Sequence, residues 1–564
     1  MSRWASRLPI IITLLIPIGI YFWVWEYYAI NIPKWDDHAL KAFLLEYTNA
    51  NTFGEKINAL FRQHNEHRIS VTRFFSLIDY QLFGGLNFKR LMLYGNVLLL
   101  GVIGLWGILL HQNRKPFYTL IPVPFIWLTL SHYENMYWGM ASVQNFGVVT
   151  FSLLTFYLAV SRKREYFIAS ILLAAIACLT SGNGLLVLPT VAVVLFLAPR
   201  WRRLFVWLGV SALYLFVYFY SYQSSPATPS SSFGVGVFIK GYLYFLGSFA
   251  ESFPVQNHQL YCLIFGAVLF LVAISIVSTV LFRLIKNRYD YDFAKITDLF
   301  CLATLLFILG TALIVVYSRA GFGLDGLLTS RYKIYSFTLL LVSYLYIVIP
   351  IRGSFLSPYV SSIVLLNALY SVFSYHYHLV DAYNLRKTLS TQKFNWTYSD
   401  KSLTPLPDSL AGHLVENTPI FYEKWLPLLS TATNKKVAGD TTGLKNILTS
   451  TRVINKEESI RFENTTYNHQ RLQDSGVYFV LVSNKRYYLF PALRSRNISR
   501  KTLFLNQIYF APGFLAEFSF SEVESGKYSY GMVWQQGERV GISMSSDVLT
   551  IQHQQQSKKI PTNW

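Results

Sequence analysis

The chain has 564 residues, of which 53% are hydrophobic, 17% aromatic and only 14% charged, with a formal net charge of +20. A soluble surface of this size needs more charge, and the apolar residues fall in blocks of about 20, the length that crosses a bilayer, so a water-soluble single-core fold is excluded. The basic residues punctuate those blocks instead of forming one stripe, which argues against nucleic acid as a partner.

In chain order, Arg3 and Arg7 precede an apolar run from Leu8 to about Tyr28 that is longer than a signal-peptide core and lacks a small-x-small cleavage site, so it is expected to stay as the first span. Residues 31–90 form a long loop. Within it Leu40, Phe43, Leu44 and Tyr47, and later Val71, Phe74, Phe75, Ile78 and Leu82, recur every three or four residues. That period predicts amphipathic helices lying on the membrane surface. Further spans are predicted over 91–111, 117–130, 146–160, 167–180, 185–197, 204–220, 263–284, 300–317, 337–349 and 356–375, about eleven in all.

Alternate connections are basic: Arg114 and Lys115; Arg162, Lys163 and Arg164; Arg200, Arg202 and Arg203; Arg283, Lys286 and Arg288; then Arg352. The connections Ser131 to Asn145 and Ser181 to Gly184 contain no Lys or Arg, and Ser224 to Ser232 reads as a short Pro/Ser-rich outer loop. The positive-inside rule therefore puts the N-terminus in the cytoplasm, and an odd number of spans puts the C-terminus outside. After Tyr375 the composition turns polar. Alternating runs at Val477–Val482, Ala516–Phe520, Tyr528–Trp534 and Val540–Ser545, with turn residues at Glu524–Gly526 and Gln536–Gly537, predict a small β-rich domain. The expected architecture is a multi-pass α-helical membrane domain over 1–375 and an extracytoplasmic soluble domain over 376–564, foldable alone from about Asp400. Cys178, Cys262 and Cys301 sit in or beside apolar segments without metal-ligand spacing, and no disulfide is expected.

The polar clusters gather where the outer ends of spans are predicted. Asp36-Asp37 follows the first span closely; one carboxylate suits a general base for a sugar hydroxyl, and the same pair suits the N-cap of the helix that begins near Leu40. His64-Asn65-Glu66-His67-Arg68, with Arg73 beyond, would share one helical face and could hold an anionic headgroup, or could simply be a polar loop surface; it is not a His-Glu-x-x-His motif. His132, Glu134 and Asn135, leading to Trp138 and Gln144, combine carboxylate, carboxamide and aromatic groups as a sugar site does, although Trp and Tyr also belong to any interfacial belt. Asn183 lies in the tight turn Ser181 to Gly184. Arg331, Tyr332 and Lys333, with Arg319 before them, place cations against the positive-inside pattern, as functional sites or as interfacial anchors.

With its acidic pair in the first outer loop, amphipathic helices after it, many spans and an exported tail, the chain resembles the GT-C-type membrane glycosyltransferases. Locally, His64 to Arg68, Glu134-Asn135 before Trp138-Gly139, and Ser330-Arg331-Tyr332 resemble bacterial GT-C-like envelope proteins. The resemblance covers residues 1–375; the tail is not diagnostic. It implies sugar transfer from a polyprenyl-phosphate-linked donor to a glycan, lipid or protein acceptor at the outer face of the cytoplasmic membrane, with inversion. Asp36 or Asp37 would be the base, and Arg331, Arg68, Arg73 and Lys333 would face the donor phosphate. His64, Glu66, His67, His132, Glu134, Asn135, Trp138, Gln144, Asn183 and Tyr332 would contact substrate. The family contains metal-dependent and metal-independent members, so the cofactor is unknown and a divalent cation stays open. The competing readings are a polytopic transporter or flippase and a noncatalytic envelope-assembly protein.

Overall fold

The computed structural model describes residues 8–223, 234–286, 293–399, 411–418 and 447–552, except 254, 256, 320, 322, 449, 457, 473, 475, 485, 537 and 538. Arg3, Arg7, the loop Ser224 to Ser232, Arg288, Asp400 and Gly537 lie outside the described residues.

The chain is a helical bundle followed by a β-rich region. The bundle begins with α1 (Leu8–Tyr28), α2 (Asp37–Asn49) and α3 (Phe53–Phe61), then a hairpin of β1 (Gln63–His64) and β2 (His67–Arg68), then α4 (Ser70–Phe83) and α5 (Phe88–Gln112). Short pieces follow: α6 (Pro122–Trp127), α7 (Tyr133–Met136) and α8 (Gly139–Ala141). The remaining helices are α9 (Gly147–Val160), α10 (Arg164–Thr180), α11 (Val187–Leu197), α12 (Trp201–Phe219), α13 (Val235–Leu246), α14 (His258–Lys286), α15 (Phe293–Arg319), α16 (Lys333–Val348) and α17 (Leu356–Ser399).

Among the described residues, seven helices are long and apolar enough to cross a membrane. The exposure of α14 makes the same point: its most apolar stretch has mean hydropathy 2.8 yet is only 28% buried within the protein. Leu271 and Phe282 on it are 66% and 64% exposed, a surface that water would not tolerate and lipid does. The protein is membrane-embedded.

Two segments differ from the sequence expectation. Residues 117–130 are not one helix, because Pro116, Pro122 and Pro124 remove amide donors and leave 3₁₀ and α fragments. This broken segment nevertheless runs alongside α16. At one end Tyr344 donates to the Thr119 carbonyl at 2.5 Å, and at the other Ser330 donates to the Ser131 carbonyl at 3.0 Å. The second difference is α13, a 12-residue apolar helix that was not expected.

The expected amphipathic helices of 31–90 form as α2 and α4. Fully buried Asp79 ties this region down: its carboxylate accepts from Arg90 at 2.7 and 3.1 Å, from Tyr94 at 2.8 Å and from the Asn87 amide. Arg90 in turn pairs with Glu416 at 2.5 Å, bringing residues 411–418 onto the bundle.

The β region has strands β3 (Arg452–Asn455), β4 (Ser459–Asn464), β5 (Gly476–Val482), β6 (Tyr487–Pro491), β7 (Phe514–Ser519), β8 (Gly526–Gln536) and β9 (Arg539–Ile551). They form antiparallel sheets of order β3-β4-β7 and β6-β5-β8-β9. Every residue of β5 is buried, which alternation explains. Val477, Phe479 and Leu481 face the other sheet, with Phe479 stacked on Phe462 at 3.7 Å, while Tyr478, Val480 and Val482 face Phe394 of α17. The far end of α17 is thus part of the domain core. Its buried Lys387 donates to the Val477 carbonyl at 3.1 Å, and Asn395 exchanges two hydrogen bonds with the Leu489 backbone. A fragment beginning near Asp400 would lack this helix and expose one face of the larger sheet.

Candidate functional site

Charge is distributed unequally between the two ends of the bundle. One end holds Arg200 and Arg203, which donate to the carbonyls of Ser161 and Arg162, and Lys115, which donates to the Ile351 carbonyl at 2.6 Å. The opposite end holds a cavity of about 370 Å³ walled by the first loop, the α8–α9 junction, the turn before α11, and the ends of α12, α15 and α16.

Asp36 and Asp37 are adjacent in sequence and separate in role. Asp37 is fully buried: its carboxylate accepts the Lys34 amide at 2.9 Å and the Met140 amide at 2.6 Å, locking the first loop to α8. Gly139 makes room, since a Cβ there would press on the Asp37 carboxylate. Burial pushes this carboxyl up to about 7, opposed by the two amides. Asp36 instead lines the cavity, and no described residue donates a hydrogen bond to its side chain. Burial raises its carboxyl above the ordinary range, Arg331 and Lys34 oppose that, and Glu66 adds to it. Neither aspartate caps α2 by a side-chain hydrogen bond. The turn that presents them holds Trp35 at φ +44°, a left-handed conformation that is strained for a bulky residue.

Beneath Asp36 lies a charge cluster drawn from three distant segments. Lys34 sits over the rings of Trp35 and Trp138 at 4.4 and 4.8 Å and pairs with Glu134 at 3.5 Å. Arg331 lies over Trp138 at 5.1 Å, with its Nε 3.8 Å from Glu134. Burial lowers the Lys34 ammonium, and Glu134 counters. The His64 to Arg68 segment is the β-hairpin, with His64 opposite His67 and Asn65 at φ +47°, so the shared helical face expected from the spacing does not form. The hairpin still delivers both imidazoles to the cavity, each with a buried, unpartnered Nδ1. Burial holds His64 down to about 4 and lowers His67 as well, so both are neutral near pH 7. Gly182 is needed opposite His67, whose ring occupies the place a Cβ would take.

Of the residues expected from sequence, Asp36, His64, Glu66, His67, Trp138, Gln144, Asn183, Arg331 and Tyr332 line this one cavity. The others lie behind or beside it. Asn135 donates to the Arg331 carbonyl at 3.1 Å and accepts from Asn145 at 2.8 Å, positioning rather than lining. Arg68 is committed to the carbonyls of Phe61, Tyr218 and Tyr220, and Arg73 to that of Arg62. His132 is buried edge-on against Phe337 at 4.8 Å. Glu134 and Lys333 line a second cavity of about 430 Å³, where Lys333 pairs with Glu251 and His378 bonds Asp381 at 2.8 Å.

Sequence reasoning passed over Lys34, although it stands two residues from Asp36 and breaks the positive-inside pattern just as Arg331 does. It also passed over the cavity-lining Tyr218, Tyr222 and Tyr335, which carry no local signal. Gln144 and Asn145 reach the site from a π-helical turn, Ser142–Phe146, a geometry common at functional sites. Among the described residues no three His, Cys, Asp or Glu side chains converge as metal ligands. An exposed-to-cavity carboxylate, two neutral imidazoles, arginines and aromatic rings can together bind a polar, anionic ligand and accept a proton. No protein family, curated protein or solved structure matches this chain.

Proposed function

We propose that this protein is a GT-C-type glycosyltransferase that moves a sugar from a polyprenyl-phosphate-linked donor to a glycan, lipid or protein acceptor. The observation that carries this reading is the meeting of Asp36, with its side chain unbonded, and Arg331 on one cavity at one end of a membrane bundle. Asp36 is the base, because Asp37 is engaged by two backbone amides. In the reaction, the acceptor hydroxyl gives its proton to the Asp36 carboxylate as its oxygen attacks the anomeric carbon. The bond from that carbon to the phosphate oxygen breaks on the opposite side, inverting the centre, and lipid phosphate leaves with the electron pair. Arg331 and Arg319 line the cavity where that phosphate charge would be held, in place of Arg68, Arg73 and Lys333. Neutral His64 and His67 suit sugar hydroxyls, while Trp138 holds Lys34 and Arg331 in place beside them.

The same reading places the cavity outside the cytoplasmic membrane, with about eleven crossings, the N-terminus in the cytoplasm and the β domain outside. Reporter fusions after Arg114 and after Tyr375 should give opposite signals; equal signals contradict this orientation. The activity test incubates purified protein with a panel of polyprenyl-phosphate sugars and acceptors and follows lipid phosphate release. Donor binding without turnover across the panel would favour a noncatalytic assembly protein instead.

A further inference from the structure

At the end of the bundle away from Asp36, the α9–α10 and α11–α12 connections meet around a shallow groove lined by Arg162, Pro199, Arg200, Trp201, Arg202 and Arg203. Arg200 and Arg203 reach across to backbone carbonyls of the other connection, which fixes the groove's shape. Arg162 and Arg202 are exposed on its walls. Between residues 159 and 203 there are six basic side chains and a single acid, Glu165.

Topology requires basic residues at one end of the spans, but it does not require four arginines from two connections to converge on one groove. The apolar surroundings sharpen the point. Trp201 is 47% exposed and edge-on to Phe196, and Phe205, one turn along α12, is 70% exposed. A cationic groove continuous with an aromatic, lipid-facing surface matches an amphiphile whose phosphate sits on guanidinium groups and whose chains follow the helix.

We propose that this groove is a binding site for the headgroup of an anionic phospholipid. It is independent of the transfer reaction, since no groove residue reaches the Asp36 cavity. The test uses the full-length protein in mixed micelles of phosphatidylglycerol and phosphatidylcholine, with retained lipid counted by native mass spectrometry. Phosphatidylglycerol should be retained at least tenfold over phosphatidylcholine, and the double variant Arg162→Gln/Arg202→Gln should lower that preference at least fivefold without shifting the unfolding temperature. If the double variant misfolds, Arg202→Gln alone should lower the preference at least twofold. A control pair at the same end but outside the groove, Arg114→Gln/Arg352→Gln, should leave it unchanged. Equal retention of the two lipids, an equal loss in the control, or displacement by millimolar glycerol phosphate would overturn the proposal, the last by making a soluble anion the occupant.

Discussion

The two ends of the bundle hold charge in opposite ways. At the arginine end Arg162 and Arg202 are exposed, while the half-buried Arg200 and Arg203 bond carbonyls of the adjoining connection. At the Asp36 end, Lys34, Asp37 and Glu134 are buried, and their partners come from segments some 100 to 200 residues apart. Burying an ion costs several kcal/mol unless it is paired and hydrogen-bonded. On the proposed reading, charge left exposed serves orientation in the membrane and lipid binding, and charge withdrawn from water against that cost, near a cavity, serves chemistry.

The comparison can be broken most severely in the β region, where Lys387 is likewise buried. A fragment from residue 376 should unfold cooperatively by circular dichroism, whereas one from residue 400, without Phe394 and Lys387, should be aggregated or unstructured. A cooperative transition in the shorter fragment would show that α17 is dispensable. Next in size, Asp37→Ala leaves the Lys34 and Met140 amides without their acceptor. At about 1–3 kcal/mol per unsatisfied buried group, the two amides together should lower stability by about 2–6 kcal/mol, read from thermal unfolding in detergent; an unchanged transition would remove Asp37 from its structural role.

Arg331→Ala should then weaken donor binding about tenfold, the usual worth of one charge-assisted hydrogen bond, with direct binding of the lipid-linked sugar as the readout. At the arginine end, Arg352→Ala should leave donor binding unchanged. The smallest effect is on pH dependence. Because burial raises the Asp36 carboxyl, the base is ionised only above a pH higher than the ordinary carboxylate value, and kcat/KM should fall as pH drops through it. Arg331 opposes that rise, so Arg331→Gln should move the acid limb of the profile further up; a shift downward would contradict the geometry.

Much of this arrangement was legible in the sequence, for reasons that differ by segment. The long spans announce themselves by block length, since a lipid-facing helix is apolar all round. The segment 117–130 has that composition too, but its prolines break the helix, and α13 is short and interrupted by Lys240, so composition alone misjudged both. The hairpin at His64 to Arg68 was hidden because Asn65 at φ +47° makes a turn where spacing suggested a helix. Asp36 could not be separated from Asp37 locally: of the two amides that claim Asp37, the one that ties it to α8 belongs to Met140, over 100 residues away. Arg68 and Arg73 looked like phosphate ligands for a similar reason, since the carbonyls that hold Arg68 come largely from the end of α12.

The central claim is that Asp36 is the proton acceptor for sugar transfer, and Asp36→Asn tests it most directly by keeping size and hydrogen-bonding capacity while removing proton acceptance. With a donor that the wild-type protein turns over, lipid phosphate release should fall by about 100-fold or more, while donor binding and the unfolding temperature stay as in wild type. Near-normal release by Asp36→Asn would contradict the account.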